Sequence, residues 1–218
     1  MSDFVVLSYK LTPDRFIRSP FVTVYVGHEK KDFKIYKDLL CAESPFFASK
    51  LKDEWSNGQY EVSLEEEDPE AFEAITNFMF TGKFGSLTVG KTTNLSLFSS
   101  VYKLAGFLMI TKAQNELISM LFKYVQQTST IFNFTGLCAI WAADPQETLL
   151  FRMVLRSSVE CYATNHVGQP PYEGLGNHSE LMSIIIKAMG EFSKNRWEFL
   201  KSSECDYHDH SDGSSCST

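Results

Sequence analysis

Pro20-Phe-Val-Thr-Val-Tyr-Val-Gly-His-Glu-Lys-Lys-Asp-Phe-Lys-Ile-Tyr-Lys-Asp-Leu-Leu-Cys-Ala-Glu-Ser-Pro-Phe-Phe-Ala-Ser-Lys-Leu51 is the stretch that decides the fold. Val22, Val24 and Val26 alternate with Thr23 and Tyr25, the period of a strand with one buried face. Gly27 to Asp32 is polar and begins with glycine, so it reads as a hairpin connection. Phe33 and Ile35 then alternate with Lys34 and Tyr36 as a second half-buried strand. Leu39, Leu40 and Cys41 read as a short apolar turn. Ser44 is placed to cap a helix whose first residue is Pro45, where the missing N–H costs nothing. Phe47 and Leu51 fall on one face of that helix, with Phe46 beside them.

Downstream, Asn57-Gly58 marks a turn, and Tyr60, Val62 and Leu64 alternate with Glu61 and Ser63 as a third strand. The acidic run Glu65–Asp68 has a local reason, because Asp68 can cap the next helix and Pro69 occupies its first turn. Phe72, Ile75 and Met79 form that helix's buried stripe. Thr111-Lys-Ala-Gln114 has the spacing of a capping box, followed by the apolar stripe Leu117, Ile118, Leu121, Phe122 and Val125. Upstream, residues 1–19 read as a loosely held N-terminal arm.

The order of these pieces resembles the BTB/POZ family, in particular its short fungal members. The resemblance rests on the hairpin Val22–Val26 and Phe33–Tyr36, Lys37-x-Leu39-Leu40, Ser44-Pro-Phe-Phe47, Val62-Ser-Leu64 with Asp68-Pro-Glu-Ala-Phe72, Phe80-Thr-Gly-Lys-Phe84 and Val101-Tyr-Lys-Leu-Ala105. Tyr36 stands where the family usually has His, and Gly106 and Phe107 stand where its Ala-Asp-Lys usually continues. The implied fold is α+β, a small β-sheet with a cluster of helices over residues 20–127, followed by an all-helical extension over 131–201. The implied function is non-enzymatic protein–protein interaction. Expected partners are other proteins: a second copy, another BTB protein, or a cullin scaffold for which the chain is a substrate adaptor. In the family the cullin contact borders the positions held here by Phe47, Lys50, Leu51, Trp55, Phe80 and Phe84. A self-associating scaffold without a ligase role is the alternative.

Gln126–Thr130 is a polar break. Beyond it come helical stripes: Leu137, Ile140 and Trp141; Leu150, Phe151, Val154, Leu155, Val159 and Tyr162; and Leu181, Met182, Ile185, Ile186, Met189 and Phe192. A new helix start is expected at Asp144-Pro145, and Gly168–Gly176 is a loop rich in breakers. These helices are expected to pack on one another and on the last helix of the first domain.

Composition narrows the function classes. The chain has 218 residues, 44% of them hydrophobic, enough for a real core. A net charge of −7 and a pI of about 5.3 argue against a nucleic-acid footprint, and no run is apolar enough for a membrane span. No secretory leader is visible at the N-terminus. Five scattered cysteines, none in a C-x-x-C pair, suit a reducing intracellular setting, cytoplasmic or nuclear. Gly85-Ser-Leu-Thr-Val-Gly90-Lys91-Thr92 matches a phosphate-loop pattern. The helix periods around it and the bulk of Leu87 and Val89 make nucleotide binding only a remote alternative. His28, His166 and His178 stand without triad partners, and Cys41 reads as a small core residue, so neither a catalytic site nor a cofactor is expected. The tail 202–218 carries Cys205, His208, His210 and Cys216, a soft-metal donor set, but it is poor in apolar residues. It is expected to be disordered and to hold no metal.

Overall fold

A computed structural model describes residues 19–52, 60–85, 87, 89, 94–128, 134–143, 146–165, 179–195, 199–211, 213 and 216. Residues 1–18 of the N-terminal arm, the Asn57-Gly58 turn, Asp144-Pro145, the breaker loop, Trp55 and Lys91 lie outside them. The fold is α+β, a small sheet with helices and a helical C-terminal region. The chain divides into two units, Met1–Pro69 and Glu70–Thr218.

In the first unit, β1 (Phe21–Val26) pairs antiparallel with β2 (Lys31–Tyr36) and parallel with β3 (Glu61–Leu64), giving the order β2-β1-β3. Val22, Val24 and Val26 are fully buried, opposite Ile35, Phe33 and Lys31 on one side; Val24 and Val26 meet Val62 and Leu64 on the other. The hairpin turns on Gly27 (φ 75°), whose N–H donates to the Leu64 carbonyl at 3.0 Å. A parallel neighbour requires a crossover. Two short helices lie in it, α1 (Lys37–Glu43) and α2 (Pro45–Lys50). The apolar turn expected at Leu39–Cys41 is therefore helical; seven residues are too few to display a 3.6-residue period. Ser19, assigned to the arm by sequence, is buried, and its Oγ accepts from the Asp38 amide in the first turn of α1.

The second unit is built of α3 (Pro69–Thr81), α4 (Leu95–Phe107), α5 (Thr111–Thr128), α6 (Phe134–Ala143), α7 (Leu149–Asn165) and α8 (Ser179–Asn195). The stripe of α5 is buried at all five expected positions. In α7, Tyr162 is only half-buried, and in α8 Ile186 points outward at 62% exposure. The extension lies against α4: α6 packs there, and Ser99 of α4 donates to the Ile140 carbonyl. α7 packs on α6 and α8 on α7, and Thr148 caps α7 through the Phe151 amide.

The α4–α5 corner differs from the expected capping box. The Met109 amide donates to Gly106 O and the Ile110 amide to Ala105 O at 2.8 Å, which is a Schellman turn. Its left-handed residue is Met109 (φ 59°), where glycine is the usual occupant. Gln114 does not close a box; its side-chain amide donates to the Tyr102 carbonyl on α4. That contact also explains Gly106, since a Cβ there would sit 2.9 Å from Gln114 Nε2.

The tail is a correction. It was expected to be disordered, yet its described residues are tied to α5. Ser203 and Asp206 form a capping box on a 3₁₀ turn, Glu204–Tyr207. Tyr207 is buried with Phe122 and Phe199, ring centroids 6.1 and 5.8 Å away. Asn115 of α5 exchanges two hydrogen bonds with the Asp209 backbone, at 2.8 and 2.9 Å. One buried aromatic and a set of polar contacts replace the apolar stripe that a sequence reading looks for.

Met109→Gly removes a side chain that is 60% exposed and relieves the left-handed strain. It is expected to stabilise the chain by about 1 kcal/mol. Thermal unfolding should show a midpoint a few degrees higher, with Met109→Ala unchanged.

Candidate protein-binding surface

α2 is fixed at its start by Ser44. The Ser44 amide closes α1 on the Leu40 carbonyl, and its Oγ accepts from the Phe47 amide at 3.3 Å. Pro45 takes the first helical position. This geometry turns Phe47 and Leu51 inward, to 0% and 3% exposure. Phe46 lies edge-on to Phe47 with ring centroids 5.3 Å apart and is half-buried. Cys41 is also half-buried, with its Sγ 3.9 Å from the Phe47 carbonyl, so it is not the core residue the sequence suggested. Lys50 is exposed in the last turn, where a cation suits the helix dipole. Of the contact positions on and after this helix, Lys50 meets solvent, Phe47 and Leu51 do not, and Trp55 lies outside the described residues.

The end of α3 sorts the other two. Gly82 (φ 70°) follows the helix, and its N–H donates to the Phe78 carbonyl at 2.7 Å. Thr81 Oγ1 donates toward the Asn77 and Lys83 carbonyls and accepts from the Lys83 amide, which sets the direction of the exit. Phe84 comes back onto Phe78, rings stacked at 4.7 Å and 23°, and is 4% exposed. Phe80 is two residues beyond Phe78, about 200° round the helix, and is 52% exposed. So Phe84 is core and Phe80 is surface.

Sequence reasoning missed three other apolar positions. Phe21 is 56% exposed and stacks on Tyr36 across the β1–β2 pair at 4.6 Å. Phe107 and Met109, at 46% and 60%, project from the α4–α5 corner. The alternation of β1 would have flagged Phe21, which has the parity of Thr23 and Tyr25. Nothing in the sequence marks Met109 as left-handed.

The turn between β1 and β2 faces the acidic run after β3. Gly27, His28, Glu29 and Lys31 line one side of this groove, and Glu65 to Pro69 the other. Lys30 pairs with Glu65 at 3.3 Å, and this contact holds the Glu65 carboxyl below its usual range. The pair is solvated on both sides, and such pairs contribute little to stability.

The phosphate-loop pattern lacks its structural frame. The element before Gly85 is helix α3, not a strand, and Phe84 and Leu87 are buried. A nucleotide loop of this type connects a strand of a parallel sheet to a helix. Among the described residues His28 is exposed and stands in no catalytic arrangement.

Comparisons with known proteins bear on residues 18–121. A family model described as the BTB/POZ domain matches residues 18–121. Among solved structures, the BTB (Tramtrack and Bric a brac) domain of human gigaxonin is 18% identical, with a TM-score of 0.36, covering 45% of this chain and 74% of that one. The BTB domain of zebrafish PATZ1 is 22% identical, with a TM-score of 0.35, covering 49% of this chain and 75% of that one. No curated protein sequence matches.

Core and surface phenylalanines should separate cleanly. Phe84→Ala is expected to cost about 3 kcal/mol through the cavity left against Phe78. Phe80→Ala should stay within about 0.5 kcal/mol. Urea unfolding of the two variants checks this.

Proposed function

We propose that this chain, whose residues 18–121 match the BTB/POZ domain model, is a non-enzymatic protein–protein interaction module, an adaptor that docks on a cullin scaffold of a ubiquitin ligase. The observation that carries the proposal is where the apolar surface lies. Phe21, Phe80, Phe107 and Met109 are all held out in solvent, and all lie inside the matched span. Aromatic and methionine side chains are the types enriched at protein interfaces. Met109 is held out by a strained backbone, a cost that persists where a surface has a use. Among the described residues of the set that the family resemblance points to, Lys50 and Phe80 are exposed, and each is a proposed cullin contact. Phe47, Leu51 and Phe84 act by holding the backbone that presents them.

The second reading is a self-associating scaffold. It is favoured by the Phe21–Tyr36 stack, an aromatic pair on the outward parity of the sheet. A second copy or another BTB protein would cover it. The two readings share the domain and differ in the partner, and in both the chain works inside the cell.

The purified 218-residue chain mixed with a cullin N-terminal region at micromolar concentration is expected to co-elute in size-exclusion chromatography. Combining Lys50→Glu with Phe80→Ala should weaken the complex by about tenfold or more, the loss expected of one interface hot spot. Ile186→Ala, outside the matched span, should leave it intact. No complex with the wild-type chain would remove the adaptor reading and leave the scaffold.

A further inference from the structure

The four donors that the sequence scatters through the tail, where no metal was expected, are gathered in the structure. One donor atom each from Cys205, His208, His210 and Cys216 lies within 4.8 Å of all the others. His208 Nδ1 is 3.0 Å from Cys216 Sγ, and His210 Nε2 is 3.6 Å from the same sulfur. A tetrahedral zinc spaces its sulfur and nitrogen donors by roughly 3.3–3.8 Å, given bonds of about 2.3 and 2.0–2.1 Å. The cluster therefore needs only small side-chain adjustments to close on an ion.

The surroundings are those of a ligand shell. The second ring nitrogen of His208, Nε2, is 3.0 Å from Ser119 Oγ on α5. With its proton donated to that hydroxyl, Nδ1 is left bare toward the cluster, which is how metal-binding histidines are usually oriented. Between the two histidines, the Asp209 backbone is held by both ends of the Asn115 amide. On one flank Ser203 caps the turn that carries Cys205, accepting from the Cys205 amide at 3.2 Å. On the other, the Gly213 (φ 77°) amide donates to the His210 carbonyl at 3.0 Å. Two half-buried sulfurs and an exposed His210 leave the cluster open to an entering ion.

We propose that Cys205, His208, His210 and Cys216 form a Cys₂His₂ zinc site that fastens the C-terminal segment to α5. Two thiolates and two neutral imidazoles are a tetrahedral, soft-donor set that suits zinc. On binding, the two thiol protons pass to solvent and the Zn²⁺ charge is balanced by the two sulfurs. The site also supplies what the tail's composition lacks. Beyond Tyr207 this segment has no large apolar side chain to offset the entropy of ordering, and a metal with four ligands can do so.

The test uses the full chain, reduced and stripped with a chelator, then loaded with zinc or cobalt(II). The expected result is one zinc per chain after gel filtration, and cobalt spectra with the intense visible bands of a tetrahedral thiolate site. Cys205→Ser combined with Cys216→Ser should abolish both. Cys41→Ser combined with Cys138→Ser should leave both unchanged. Ser119→Ala, a change in the supporting shell, should weaken zinc affinity by about tenfold. Far-UV circular dichroism verifies that each variant is folded. Absence of the cobalt bands would overturn the proposal. So would a stoichiometry that survives loss of the two tail cysteines, or a Cys205–Cys216 disulfide persisting in the reduced protein.

Discussion

Everything in the first unit depends on β1 being hydrogen-bonded on both edges. Its three valines are fully buried, and each edge of the strand is closed by a different kind of ladder, antiparallel to β2 and parallel to β3. The parallel ladder is the demanding one, because the chain must cross over between β2 and β3. Ser44 permits this in little space, ending α1 and starting α2 within one extended residue (φ −129°, ψ 112°). The strand's far end is equally constrained. Gly27 bonds to Leu64, and a Cβ on it would lie 3.0 Å from Pro69 Cγ, so the hairpin turn and the start of α3 leave no room for a side chain.

The same constraint sets which side chains are surface. With the valines committed inward, the opposite parity of β1 faces out, and Phe21 goes with it. In the second unit the Gly82 exit returns Phe84 to Phe78 and leaves Phe80 outside. The Schellman turn at Met109 likewise buries Ile110 against α4 while projecting Phe107 and Met109. Phe80, Phe107 and Met109 thus stand beside turns whose inner residues, Phe84 and Ile110, are buried. An interaction surface of that kind is stiff, since moving it would unpack the core behind it.

Much of this was legible in the sequence for a physical reason. Alternation in β1, β2 and β3 and the stripe of α5 are long enough to show their periods, and Ser44-Pro45 carries its cap in two residues. What was not legible lay in features without a period. α1 is two turns long. The direction of β3 relative to β1 is set by the crossover and not by its own residues. Phe80 and Phe84 are both aromatic, and only the glycine turn between them decides which is buried. Gln114 has the spacing of a box and spends its amide on Tyr102 instead. The order of the tail has no apolar period to announce it and comes from Asn115, Ser203, a single tyrosine and clustered sulfur and nitrogen donors.

The central claim is that this chain holds other proteins through apolar side chains exposed within residues 18–121, the span that matches the BTB/POZ family model. Light scattering of the 218-residue chain from low to high micromolar concentration, alone and with candidate partners, tests it most directly. The account predicts a species heavier than the 24.8 kDa monomer, either a self-associated form or a defined complex. A lone monomer at every concentration and with every partner would contradict it.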